Sequence, residues 1–159
     1  MQGDLFANFT GNEAGEAKKS NLETLETLNC DYQLIDTEKK RAEIIQKLLT
    51  SKILSLDTET TGTEPMDAEL VGMSFSITEN QAFYVPVPDN REEALKIVNK
   101  FRPVFENENS LKVGQNIKYD MIVLENYGVQ VKGALFDTMI AHYVLQPELR
   151  HGMDYLAEI

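Results

Sequence analysis

Residues 53–61 read Ile-Leu-Ser-Leu-Asp-Thr-Glu-Thr-Thr. A short apolar run, Ile53 to Leu56, ends in Asp57, and Glu59 follows two residues later. In extended backbone, residues i and i+2 point to the same side. Two carboxylates on one side repel unless a cation lies between them, and such oxygen ligands suit a hard ion such as Mg²⁺. Asp-x-Glu is a weak pattern in a chain with 26 acidic residues, and it recurs at Asp36/Glu38 and Asp67/Glu69. Context separates the three. Asp36 precedes an amphipathic helix and reads as its N-cap, with Glu38 in the favoured first turn. Asp67 sits in a polar turn. Asp57 ends an apolar strand and leads into a Thr/Gly loop with no helix to cap. It reads either as a turn aspartate at a strand end or as half of a cation site.

Working outward, Tyr32 to Ile35 reads as a first strand. Asp36 and Thr37 cap a helix to about Leu49, with Ala42, Ile45, Leu48 and Leu49 on one face. Residues 60–67 form a loop broken by Gly62 and Pro65. Glu69 to Ile77 is the clearest strand: Val71, Met73, Phe75 and Ile77 alternate with the small Gly72, Ser74 and Ser76. Phe83, Val85 and Val87 alternate again, and Pro86 puts this strand at an edge or near its end. Asn90 caps a helix whose buried face carries Leu95, Val98 and Phe101, and Pro103 ends or kinks it. Leu111 to Gly114 is a short strand. A helix over 117–127 is stopped by Gly128. Asp137 caps the next helix, which runs to Pro147, and a last helix opens near Met153. Strand, helix, a run of strands, then helices predict an α/β layer with a mixed sheet.

The second chemically dense stretch is Gln115-Asn116-Ile117-Lys118-Tyr119-Asp120. Asn116 reads as the N-cap. Asp120 falls one turn into the helix, where a carboxylate suits the dipole with or without a metal. His142 and His151 lack partners at zinc-like spacing, and Cys30 has no local base.

Leu56-Asp57-Thr58-Glu59-Thr60 and Gln115 to Asp120 resemble the first two motifs of the 3′-5′ proofreading exonuclease domain of bacterial family A DNA polymerases. The resemblance extends through Leu70 to Phe75, Phe136-Asp137-Thr138-Met139 and Arg150-His151-Gly152-Met153-Asp154, and covers about residue 31 to the end. Order and spacing together make it specific. It implies an RNase H-like fold, a mixed β-sheet flanked by helices and incomplete at the C-terminus. It also implies two divalent ions, Mg²⁺ (or Mn²⁺ or Zn²⁺), hydrolysing a 3′-terminal phosphodiester. By that likeness the catalytic and metal-binding residues are Asp57, bridging both ions, Glu59 on the first and Asp120 on the second. Thr58 and Thr60 would lie beside substrate. Gln115 and Asn116 would donate to phosphate or sugar, Tyr119 and Met139 would pack on bases, and Arg150 would pair with a phosphate.

The family's third motif, a tyrosine and an aspartate, lies some tens of residues beyond the equivalent of Asp120. Asp154 and Tyr155 match the helix before it and do not replace it. The expectation is a domain over 28–159 with weak ion binding, little nuclease activity alone, exposed apolar surface and marginal stability or self-association. The expected partners are a single-stranded 3′ end of DNA, a 5′-nuclease domain upstream and a polymerase domain downstream. Two alternatives stand beside this: a non-catalytic nucleic-acid-binding or spacer module, and a stand-alone ribonuclease of the DEDD type.

The bulk properties fit. The chain has 159 residues, 42% of them hydrophobic, a formal charge of −11 and one cysteine. The lone Cys30 rules out an internal disulfide and fits the cytoplasm. No run is long and apolar enough for a membrane span. The negative charge argues against a phosphate-binding basic surface, yet suits an acidic site that meets phosphates through cations. Residues 1–27 are polar with few apolar anchors and read as a disordered tail or linker.

Overall fold

The structure, a computed structural model, describes residues 28–158. The expected tail or linker over 1–27 lies outside the described residues. Six strands form one mixed sheet: β1 (Asp31–Leu34), β2 (Ile53–Thr60), β3 (Leu70–Thr78), β4 (Gln81–Pro86), β5 (Leu111–Gly114) and β6 (Leu135–Asp137). Their spatial order is β1-β4-β3-β2-β5-β6. The β2–β3 and β3–β4 pairs are antiparallel; β1–β4, β2–β5 and β5–β6 are parallel. The helices are α1 (Glu38–Thr50), α2 (Arg91–Phe105), α3 (Ile117–Asn126), α4 (Thr138–Leu145) and α5 (Met153–Glu158).

Alternation in the strands sends one set of side chains into the core. Leu54, Leu56 and Thr58 of β2 are buried, as are Met73 and Phe75 of β3 and Phe83 and Val85 of β4. Helix α2 lays Val98, Phe101 and Phe105 on this face, with Phe75 stacked on Phe101 at 5.4 Å between ring centres. Both rings are about 1% exposed or less, and such a pair contributes about 0.5–1.5 kcal/mol beyond its buried area. The opposite face of β2 carries Ser55, Asp57 and Glu59, none of them fully buried.

Several local expectations are corrected. Asp36 is not the cap of α1; the Thr37 hydroxyl accepts from Lys40 N, and Asp36 pairs with the Lys40 ammonium at 2.8 Å. The buried face of α1 is centred on Ile44 and Leu48, with Ala42 exposed. Strand β4 is not an edge, because β1 pairs alongside it; Pro86 is tolerated as the strand's last residue, beyond the β1 register that ends at Tyr84. Pro103 sits inside α2 without ending it. Its ring is exposed in the last turn, and the carbonyl it leaves without a donor belongs to the exposed Asn99. Lys112, in β5, is fully buried and donates its ammonium to the carbonyls of Asn107 and Lys132. Burial depresses its pKa. Helix α4 has no buried residue: Ile140, Tyr143, Val144 and Leu145 are all more than half exposed.

Candidate active site

Asp57 and Glu59 stand within β2, not at its end. Both pair with β3, opposite Ser74 and Gly72, and the ladder bulges only after Glu59. The strand therefore continues past its apolar half and carries the acid pair on regular backbone. Asp57 is half-buried and Glu59 exposed. Burial raises the Asp57 carboxyl above its usual range, and the charge of Glu59 raises it further. No ion pair among the described residues involves Asp57, Glu59 or Asp120.

Asp120 comes from α3 and is 2% exposed. Strand β5 pairs with β2 only over Ile53–Ser55, so β2 beyond that point lacks a strand partner on that side. Asp120 fills the gap: its Oδ1 accepts from Thr58 N at 2.8 Å and from Thr58 Oγ1 at 2.6 Å. Burial pushes its pKa up to about 6; Thr58 pulls it down and the Asp57 charge pushes it up. The Thr58 side chain lies on the core face, whereas Asp57 and Glu59 project from the other. The three carboxylates thus gather around the free edge of β2 without sharing a face. Among the described residues, no group of three or more His, Cys, Asp or Glu stands close enough to hold a metal ion. The donor set itself fits a hard divalent cation: all oxygen, acidic, and with no cationic side chain paired to it.

A cleft of about 500 Å³ opens at Glu59, lined also by Thr58, Thr60, Thr61, Gly62, Thr63, Asn116 and Tyr119, with Asp57 outside the lining. The Tyr119 hydroxyl meets Thr60 Oγ1 at 2.6 Å and donates to the Gly62 carbonyl at 2.5 Å, tying α3 to the loop after β2. Gln115 lies outside this lining. Its amide nitrogen donates to the His151 carbonyl at 2.7 Å, and its amide oxygen bonds the Thr138 hydroxyl. Met139, half-buried in the first turn of α4, and the exposed Arg150 also lie outside it.

Asn116 is not a side-chain cap. It adopts a left-handed backbone (φ 56°), and its amide makes no capping bond. The capping group is Asp137. Its carboxylate accepts from Asn116 N at 3.1 Å and Ile117 N at 3.0 Å, and also from Met139 N at 2.9 Å and Ile140 N at 3.2 Å. One side chain therefore closes the N-termini of both α3 and α4. Its role on α4 is readable from the strand–helix junction; its role on α3 is a tertiary contact with no local signal.

A sequence model of a 3′-5′ exonuclease family matches residues 32–159. The DNA polymerase I of Borreliella burgdorferi is 34% identical over 140 residues, covering 86% of this chain and 15% of that protein. The DNA polymerase I of Pseudomonas aeruginosa is 34% identical over 166 residues, covering 96% of this chain and 18% of that protein. The chain thus spans less than a fifth of the length of these relatives. Among solved structures, the catalytic core of RRP6 from Trypanosoma brucei superposes with a TM-score of 0.64 at 22% identity, over 86% of this chain and 35% of that one. Trypanosoma brucei RNase D, solved with RNA U12, superposes with a TM-score of 0.66 at 19% identity, over 81% and 46%. These two likenesses establish the shared RNase H-like exonuclease fold. With the family model covering nearly all of the described residues, the chain belongs to the family of 3′-5′ exonuclease domains of DNA polymerase I.

Proposed function

We propose that this domain shortens DNA from a single-stranded 3′ end by hydrolysing the terminal phosphodiester. The observation that carries this reading is the Asp57–Glu59 pair, two carboxylates on one strand face with no cationic partner, of which Glu59 borders a cleft lined by threonines, Asn116 and Tyr119. Asp57 and Glu59 would hold a divalent ion, Mg²⁺, Mn²⁺ or Zn²⁺, and Asp120, held beside Asp57 by Thr58, would support a second. Bound ions of this kind supply Lewis acidity to the phosphoryl group and lower the pKa of the attacking water. The chain's own residues orient the rest. Thr58 fixes Asp120, Tyr119 fixes the loop at Thr60 and Gly62, and the Asn116 amide at the cleft offers a donor to phosphate or sugar. Met139 and Arg150 are read as contacts further along the strand, and Gln115 as a strut that holds the His151 segment near them.

Because Asp120 is committed to Thr58 and only Asp57 and Glu59 share a face, residues 1–159 alone are read as a weak nuclease. In its parent the domain would stand between a 5′-nuclease domain and a polymerase domain, in the cytoplasm, and excise mispaired ends in replication and repair. The test is hydrolysis of a 5′-labelled single-stranded DNA oligonucleotide in Mg²⁺, by the chain and by its longer parent. Stepwise shortening from the 3′ end, slow in the chain and lost in Asp57→Ala, is expected. An Asp57→Ala variant that cuts as fast as the wild type refutes the reading.

A further inference from the structure

The sheet face that carries Asp57 and Glu59 also carries Tyr84. Asp57 pairs with Ser74 and Ser74 with Tyr84, so these residues form one row across β2, β3 and β4. Glu59 pairs with Gly72 and Gly72 with Pro86, forming the next row. Gly72 leaves its place in that row empty, and the Tyr84 phenol fills it. A Cβ on Gly72 would lie 2.2 Å from the Tyr84 hydroxyl oxygen, 2.4 Å from Cζ and 2.5 Å from Cε2. The ring therefore runs along the sheet from the row of Asp57 into the row of Glu59, hydroxyl foremost. Directly paired side chains stand about 4.5–5.5 Å apart at Cβ, so the hydroxyl lies one strand spacing from Glu59, and a change of rotamer at Glu59 is what would bring its carboxylate to it. The hydroxyls of Tyr119 and Tyr127 are taken by other groups, whereas that of Tyr84 makes no hydrogen bond with a described residue.

We propose that Tyr84 is a positioning residue for Glu59. On ion binding, its hydroxyl, admitted by the missing side chain of Gly72, donates to the Glu59 carboxylate as that side chain turns inward, and holds it toward Asp57. The inference rests on the proposed function. Outer partners of this kind orient a ligating carboxylate, and their loss costs about 10–100-fold in metal affinity. Gly72 is thereby a functional glycine: any side chain there displaces the phenol.

The experiment is Mn²⁺ binding to the chain, read from paramagnetic broadening of backbone amide signals, with urea unfolding run in parallel. Tyr84→Phe keeps the ring and should weaken Mn²⁺ binding about tenfold while leaving the urea midpoint in place. Gly72→Ala should show the same loss, and the double variant Gly72→Ala/Tyr84→Phe no greater loss than either single one. Mn²⁺ affinity of Tyr84→Phe within about twofold of wild type, with Glu59→Gln clearly weakened, overturns the inference and leaves the functional reading standing. Asp57→Asn and Glu59→Gln binding Mn²⁺ as the wild type does would overturn both.

Discussion

Replacing Asp137 with Ala removes one acceptor that serves two helices. Four backbone N–H groups, those of Asn116, Ile117, Met139 and Ile140, lose their partner at 2.9–3.2 Å. Loss of an N-cap side chain costs about 0.5–2 kcal/mol per helix. The carboxylate also sits at the positive end of two helix dipoles, contributing about 0.3–1 kcal/mol at each. Half-burial restrains water from replacing all four bonds. Central values of these partly overlapping contributions give about 2–4 kcal/mol, a large share of the 5–15 kcal/mol typical of a domain. The assay is urea unfolding followed by circular dichroism, with the slope unchanged and the midpoint lowered. The corresponding fall in Tm is roughly 5–15 °C at about 2–4 °C per kcal/mol. Asp137→Asn keeps one acceptor oxygen and should lose about half as much. Asp36→Ala, which removes only an exposed pair with Lys40, should lose far less than either. A loss below about 0.5 kcal/mol for Asp137→Ala would refute the bridging role, since even one typical cap exceeds it.

The pKa of Asp120 is raised to about 6 from 3.8, so the folded state prefers the protonated form. Stability without divalent ions should therefore fall as pH rises from about 4 through 6, and Asp120→Asn should shrink that fall, leaving the smaller contribution of the raised Asp57 carboxyl. At pH 7.5 in EDTA, Asp120→Asn should be the more stable protein by about 1–3 kcal/mol, measured by urea unfolding. Phe101→Ala empties a fully buried site stacked on Phe75 and should cost about 3–5 kcal/mol in the same assay. Gly133 has φ 91°, and a Cβ there would meet the Ser110 carbonyl at 3.0 Å. Gly133→Ala should cost about 1–3 kcal/mol, and no loss in Tm would remove the strain argument.

The alternation Val71-Met73-Phe75-Ile77 and the capped apolar stripes made the mixed sheet and most helices readable, because period and capping are local. The Asp57/Glu59 pair was readable for the same reason, as i, i+2 neighbours in extended chain. What sequence could not display were contacts made across the fold. The placement of Asp120 depends on β5 ending early against β2, which frees the edge at Thr58. Asp137 reaches back to residues 116 and 117 through the pairing of β5 with β6. Pro103 does not end α2, because a proline costs a helix little where its ring faces water in the last turn. Pro86 suggested an edge strand or a strand near its end, and the second holds: β4 gains β1 as a neighbour over Gln81–Tyr84 and stops at the proline. The buried Lys112 follows an ordinary surface pattern in sequence; only the carbonyls of Asn107 and Lys132 explain it.

The most direct test of the site is the diffraction anomalous signal of Mn²⁺ in crystals of this chain soaked with the ion. An anomalous peak within about 2.5 Å of carboxylate oxygens of both Asp57 and Glu59 is the expected result. A peak elsewhere on the molecule, with the space between these two carboxylates empty at saturating Mn²⁺, would contradict it.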